Sequence, residues 1–186
     1  MEPRPDGLTV PAPLPAAPIP ADDPARALAF ARPDDAGSLP HVSIAGGTYT
    51  ILVSGADTAG RYALIDMHVP PGGGPPPHRH DFEEAFTVLE GEIALTFRGA
   101  TTTARAGDTV NVPANAPHFF RNVGDRPARL LCLCVPAGQE RFFAAVGDPV
   151  ASRTAPPPAL SEAERAERRA RAASLAAEFR TEFVRP

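Results

Sequence analysis

The sequence predicts an all-β fold, a single barrel or sandwich of short antiparallel strands. After Gly47, short runs rich in β-branched and aromatic residues alternate with Gly, Pro, Asn and Asp, as they do in barrels and sandwiches. These runs read TYTILVS, RYALIDMHV, EAFTVLEGEIALTF, DTVNVP, HFFRNV and ARLLCLCV. A chain of 186 residues is long enough for one such domain with extensions and short for two.

The pattern divides the chain into three segments. Residues 1–42 are rich in Pro and Ala and are predicted to form an arm, which is ordered only where it lies on the barrel or on a second subunit. Residues 43–148 are predicted to form the barrel. Within it, Gly91 can take the positive φ of a tight turn, so Leu89 to Glu92 are predicted to join an antiparallel hairpin.

Residues 149–186 are predicted to be a connector and a C-terminal helix. Residues 138–147 first allow two helical turns, and a Pro-rich stretch follows. Ser161 and Glu164 then have the spacing of a capping box, which predicts a helix that continues through Phe183. Leu175, Phe179 and Phe183 form a narrow apolar stripe that favours docking on the barrel or on a partner subunit, with a mobile lid as the alternative.

Four residues with metal-binding side chains lie in two segments of the predicted barrel. His78, His80 and Glu84 share parity, so on one extended strand they would project from the same face. His118 begins another strand after a turn with two prolines. A lone histidine is more often a core or surface residue, but the four together favour one divalent transition metal ion, with Fe, Mn, Ni, Cu and Zn all open.

The same residues carry a resemblance to the cupin superfamily. Its first motif, G(X)5HXH(X)3–4E(X)6G, is met by these residues: Gly72, His78, His80, Glu84 and Gly91. Its second motif, G(X)5PXG(X)2H(X)3N, is met at Gly107, Pro113, His118 and Asn122, with Asn115 where Gly is usual. Asn tolerates left-handed backbone angles, so the turn is expected to survive. The resemblance covers residues 46–147.

By this resemblance the fold is a cupin jelly-roll β-barrel, and His78, His80, Glu84 and His118 are the metal ligands. The amino-acid sequence around the motifs is similar to that of single-domain cupins related to quercetin dioxygenases. This implies an oxygenase that acts with O2 on an aromatic, flavonol-like or polyketide-like enol, with Glu84 as a base as well as a ligand. Three aromatic side chains are candidates for the substrate pocket: Phe86, Phe97 and Phe120.

Two other function classes stay open. The same ligands with Zn or Ni would suit a non-redox isomerase, cyclase or lyase. A cupin that binds a small ligand without turnover is the third class. Because cupin barrels commonly pair, and Pro-rich arms suit exchange between subunits, the sequence also predicts a homodimer.

Composition argues against several partners and compartments. The net charge is −4 and no stretch concentrates arginine beside aromatic residues, so nucleic acid is not an expected partner. No apolar run is long enough for a signal peptide or a membrane span, which predicts a cytoplasmic protein that does not contact membranes. Cys132 and Cys134 lie two apart in a strand pattern and are expected to be buried apolar side chains.

Overall fold

The strands of the molecule begin at His41 and end at Phe183. The computed structural model describes residues 17–35 and 39–185. The strands are β1 His41–Ile44, β2 Gly47–Val53, β3 Ala63–Val69, β4 His78–His80, β5 Glu83–Glu90, β6 Glu92–Phe97, β7 Ala100–Arg105, β8 Thr109–Val112, β9 His118–Arg121, β10 Ala128–Val135, β11 Asp148–Pro149 and β12 Thr181–Phe183. The helices are α1 Gln139–Val146 and α2 Glu162–Leu175, the second followed by a 3-10 turn at Ala176–Phe179.

These strands form two antiparallel sheets. One has seven strands in the order β11-β1-β2-β3-β10-β5-β8, and the other has five in the order β12-β4-β9-β6-β7. Alternate side chains of each strand point between the sheets, as Phe86 and Val88 of β5 and Ile93 of β6 do. The all-β jelly-roll prediction and the C-terminal helix are confirmed.

The predicted hairpin at Gly91 is wrong, although Gly91 does adopt a positive φ of 73°. Strand β5 pairs with β8 and β10, whereas β6 pairs with β7 and β9. The chain at Gly91 passes so close to β10 that a Cβ there would lie 3.0 Å from Cα of Ala128. Gly91 therefore carries the chain from one sheet to the other.

The C-terminal helix begins as predicted and ends earlier. The Ser161 hydroxyl and the Glu164 carboxylate make the expected capping box at the start of α2. The helix ends at Leu175, and after the 3-10 turn Arg180 takes a left-handed φ of 58°. The predicted continuation through Phe183 is wrong because β12 pairs with β4, which places Phe183 opposite His78.

The described part of the arm is largely exposed to solvent. The guanidinium of Arg26 donates to the carbonyl of Asp57 over 2.8 Å, and Asp34 forms an ion pair with Arg153. Residues 1–16 and 36–38, which complete the predicted arm, lie outside the described residues. No helix within the described residues is long and apolar enough to cross a membrane.

The side chain of Asn122 ties the loop after β9 to the end of β3. Its Nδ2 donates to the carbonyls of Val69 and Arg126, each over 2.8 Å, and its Oδ1 accepts from the amide of Gly124 over 2.9 Å. Asn122 is 2% exposed and Val69 is fully buried, whereas the bonds to Arg126 and Gly124 are partly buried. The asparagine of the second motif therefore stabilises the barrel by hydrogen bonds to main-chain groups.

Replacing Asn122 with leucine should destabilise the protein by about 2 kcal/mol, because the buried carbonyl of Val69 and two partly buried main-chain groups lose their partner. Denaturant unfolding measures the change. The matched control is Asn111→Leu, at an exposed position where the amide contacts Glu83, and it should change stability by less than about 1 kcal/mol. Equal losses in the two variants would contradict this role.

Candidate metal centre

Four side chains converge in the space between the two sheets. His78 and His80 lie on β4 and His118 lies opposite His78 on β9, all in the five-stranded sheet. Glu84 projects from β5 of the seven-stranded sheet. All four are buried, and one ligand atom from each lies within 4.8 Å of the others. The cluster predicted from the sequence is therefore assembled, and it could hold a metal ion.

The prediction that His78, His80 and Glu84 share one strand is wrong. A bend at Asp81 and Phe82 ends β4 and starts β5, and the two strands belong to different sheets. Parity places His78 and His80 on one face, but Glu84 reaches the cluster from the opposite wall. The two sheets thus clamp the site from both sides.

Main-chain carbonyls orient all three imidazoles in the same way. The Nδ1 atoms of His78, His80 and His118 lie 3.0, 2.9 and 2.9 Å from the carbonyl oxygens of Pro76, Phe82 and Ala116. A carbonyl oxygen only accepts, so each Nδ1 carries the hydrogen and donates it. This tautomer leaves Nε2 of a neutral imidazole free to bind a metal ion.

Glu84 contacts both the histidines and the two cysteines. Its Oε2 lies 3.1 Å from Nε2 of His80 and 3.1 Å from Nε2 of His118. Its Oε1 accepts a hydrogen bond from the Cys132 thiol over 3.2 Å, and the Cys134 sulfur is 4.0 Å away. Both cysteines are buried as expected, but they also form the polar support behind this carboxylate.

The ionisation states complement one another. Burial works to raise the pKa of Glu84, but hydrogen bonds from His118 and His80 hold it well below its ordinary value. Burial works against protonation of His118 too, yet its contact with Glu84 raises the pKa. Burial, with His118 beside it, lowers the pKa of His78 to about 4. At neutral pH Glu84 is an anion, and His78 is a neutral imidazole.

The turn before β9 tolerates its departure from the cupin motif. Asn115 has a φ of 68°, the left-handed conformation for which glycine is usual at this motif position. The main-chain N–H of Asn115 donates a hydrogen bond to the carbonyl of His80 over 2.6 Å. The expectation that the turn survives with asparagine is confirmed, and the turn links the two histidine strands.

The donor set matches what a divalent transition metal needs. Imidazole nitrogens and a carboxylate oxygen bind such ions at about 2.1 Å, so neighbouring ligands at right angles lie about 3 Å apart. The 3.1 Å separations between Glu84 and two histidines agree with this spacing. An anionic carboxylate also offsets part of the charge of the ion.

A cavity of about 770 Å³ reaches the cluster at His78 and Glu84. Phe86 and Phe120 line it and meet edge to face, with ring centroids 5.4 Å apart. Phe97 does not line this cavity, because it lies at the end of β6, where the guanidinium of Arg98 covers its ring.

The sequence interpretation missed other parts of the cavity wall. Tyr49 shares the inward parity of Ile51 on β2, a signal that could have identified it. Gln139, at the start of α1, lines the cavity with no local signal in the sequence. Helix α2 contributes Arg165, Arg168 and Arg169 at the outer part, and Arg168 is held by Asp148 over 2.9 Å.

Comparisons with known proteins agree with this architecture. The family model for the cupin domain matches residues 65–148. Quercetin 2,3-dioxygenase from Bacillus subtilis is 30% identical over 128 residues, which are 68% of this chain and 37% of that protein. The polyketide synthase CurC from Streptomyces cyaneus is 36% identical over 75 residues, which are 40% of this chain and 47% of that protein. The chain thus spans less than two thirds of either curated relative.

A solved structure supports the fold independently. An RmlC-like cupin from Shewanella frigidimarina matches with a TM-score of 0.53 at 17% sequence identity. The match covers 62% of this chain and 97% of the other. At this identity the likeness concerns the arrangement of the strands.

Replacing His118 with alanine should lower the affinity for a divalent metal by at least about a hundredfold, because one of four converging ligand atoms is lost. Titration of chelator-stripped protein with Ni²⁺ or Zn²⁺ in a calorimeter measures the affinity. The matched control is His68→Ala, on β3 outside the cluster, which should bind as the wild type does. Equal weakening in both variants would count against the cluster.

Metal-stripped protein should gain stability as the pH rises from about 4 to 6.5. The folded-state pKa of His78 is about 4 against an ordinary 6.5, so the folded protein binds fewer protons in this interval and unfolding is favoured by acid. The contribution of His78 is on the order of 3 kcal/mol across the interval. His118 acts with the opposite sign above pH 6.5, since its raised pKa gives stability that is lost as the pH rises through the folded value.

Denaturant unfolding at a series of pH values measures this dependence. His78→Asn should flatten the rise between pH 4 and 6.5, whereas His68→Asn should retain most of it. An unchanged slope in His78→Asn would show that another group produces the effect.

Proposed function

Because the chain belongs to the cupin superfamily, we propose that it is a metal-dependent oxygenase that acts with O2 on an aromatic, flavonol-like or polyketide-like enol. The observation that carries the proposal is the large cavity that ends on His78 and Glu84 of the buried cluster. A substrate in this cavity has access to an ion held by the four side chains. The likeness to a quercetin 2,3-dioxygenase supports the oxygenase class.

We propose His78, His80, Glu84 and His118 as the ligands of one Fe, Mn, Ni, Cu or Zn ion. Three imidazoles and one carboxylate leave one or two positions of a five- or six-coordinate ion for other ligands, which separates reactive from structural sites. A redox-active ion held there would supply Lewis acidity toward an enol oxygen and an electron path to O2. The fixed Nδ1–H groups keep the imidazoles aimed during these events.

Glu84 is proposed as the base that accepts the proton of the substrate hydroxyl. Its carboxylate lines the cavity and is ionised, so an enol in the cavity can reach it. The Cys132 thiol would continue to support Oε1 while Oε2 accepts the substrate proton. The side chain would thus serve both the ion and the substrate.

The cavity walls favour a flat apolar substrate. Phe86 and Phe120 line the cavity, together with Phe142 and Phe143 of α1. Tyr49 contacts Phe143 with ring centroids 5.1 Å apart. A ring system packed against these faces buries apolar area on both sides. Charged side chains enter the wall only at the cluster and at the outer end near α2.

A non-redox isomerase, cyclase or lyase is the second candidate. The same donor set accepts Zn, which polarises a carbonyl or enol without electron transfer. The likeness to the polyketide synthase CurC supports a polyketide-like substrate for this class as well. The third candidate is a cupin that binds a small molecule at the same site and forms no product. The three classes differ in the ion found and in oxygen consumption.

Purified protein loaded with Fe, Mn, Ni or Cu should consume O2 when quercetin is added. An oxygen electrode and mass analysis of the product measure the reaction. Glu84→Gln should reduce kcat by at least about a hundredfold if it is the base. The matched control is Glu90→Gln, at the exposed end of the same strand, which should retain full activity. Zn alone in the protein as purified, with no O2 uptake on flavonols, would rule out the oxygenase.

We also propose that the chain forms a homodimer through its arm. Ile19, Leu28 and Phe30 are 93%, 89% and 69% exposed in one copy, which is unusual for large apolar side chains. A second barrel is a surface that such an arm can cover by exchange. Light scattering of the wild type should give twice the mass of one chain. The double variant Leu28→Ser with Phe30→Ser should give the mass of a single chain. A monomeric wild type would contradict the proposal.

A further inference from the structure

One buried oxygen, in a residue that lines the cavity, has no hydrogen-bond partner in the described part of the chain. Among the buried side-chain nitrogen and oxygen atoms of the described residues, Oε1 of Gln139 is the one without a hydrogen bond. Gln139 is only 3% exposed. A buried polar atom without a partner is unfavourable for the folded state, so its presence calls for a reason other than stability.

The start of α1 does not need the Gln139 side chain. The next residue, Glu140, accepts hydrogen bonds from the amides of Gly55 over 3.0 Å and Gly138 over 2.8 Å. These bonds attach the helix start to the loop after β2. Gln139 takes no part in them, and its Oε1 is left unpaired in a residue that lines the cavity.

The position of Gln139 relates it to whatever occupies the cavity. The same cavity is lined by Gln139, by Tyr49 and Phe143, and by His78 and Glu84 of the cluster. A flat ligand that reaches the cluster therefore shares the cavity with this amide. Tyr49 also lines the wall, and burial raises the pKa of its hydroxyl, which keeps it a hydrogen-bond donor. Tyr49 thus offers a donor to the cavity, and Gln139 supplies an acceptor that a ligand reaches when the side chain turns toward it.

We propose that Gln139 is a specificity-determining residue whose Oε1 accepts a hydrogen bond from a hydroxyl of an aromatic ligand, at a position away from the ion. This deepens the proposed function and rests on its substrate class. A ligand with a methyl ether at that position cannot donate, so it would leave Oε1 buried and unpaired. Sites built around a polar group reject such analogues more strongly than an apolar wall rejects a change in size.

Binding of matched flavonols tests the proposal without any turnover. The probes are 3-hydroxyflavones with one added hydroxyl at position 5, 7, 3′ or 4′, each compared with its methyl ether. Calorimetric titration of the Zn²⁺-loaded protein should show at least one pair in which the hydroxyl compound binds about tenfold more tightly. Gln139→Met, which keeps the length of the side chain and removes the amide, should bring that ratio close to one.

Two controls separate recognition from structure. Val146→Ala widens the same cavity on the same helix without touching a polar atom, so both members of a pair should weaken together and the ratio should persist. The ligand-free melting temperature of Gln139→Met should be unchanged or higher, because the unpaired oxygen is gone. A fall of more than about 2–4 °C would indicate a structural role and overturn the proposal.

The remaining outcomes are equally decisive. The proposal is overturned if no hydroxylated probe binds the wild type, or if the hydroxyl-to-ether ratio survives in Gln139→Met. Failure of the oxygenase proposal is seen separately, as absence of O2 uptake by protein loaded with redox-active metal. A ratio that collapses in Gln139→Met without O2 uptake would support the role of Gln139 and remove the oxygenase.

Discussion

Hydrogen bonds from three imidazole Nδ1 atoms to main-chain carbonyls are the interaction on which the site depends. Each accepting carbonyl belongs to a residue two positions from its histidine and next to a strand end: Pro76 before β4, Phe82 between β4 and β5, and Ala116 before β9. The bends that end these strands therefore also aim the ligands. Because the acceptors are backbone atoms, the orientation is built into the path of the chain.

The second constraint is that Glu84 comes from the opposite sheet. Its 3.1 Å contacts with His80 and His118 are maintained only while the two sheets keep their spacing, so packing elsewhere in the barrel supports the cluster. Cys132 holds the carboxylate from behind, and β12 covers the outer edge of β4. The last described strand of the chain thus flanks the strand that carries two of the histidines.

The sequence predicted the ligand types better than their arrangement. Residue type and spacing pointed to His78, His80, Glu84 and His118, but parity within one segment does not show that the bend at Phe82 sends Glu84 to another sheet. The Ala-rich tail favoured helix through Phe183, whereas pairing with β4 makes the last residues a strand. Gln139 had no signal, because an unpaired oxygen is recognised only once its surroundings are folded.

The redox and non-redox candidates demand the same contribution from this chain. Both need an anionic Glu84 near an enol hydroxyl, imidazoles held by the backbone, and aromatic walls that exclude water from a flat ligand. The identity of the ion separates the two reactions, whereas the side chains of the cavity wall select the small molecule that binds. Tyr49 and Gln139 are two polar side chains that line the cavity, and a hydroxylated ring can accept a hydrogen bond from the first and donate one to the second. The substrate class therefore follows from side chains that either reaction would use.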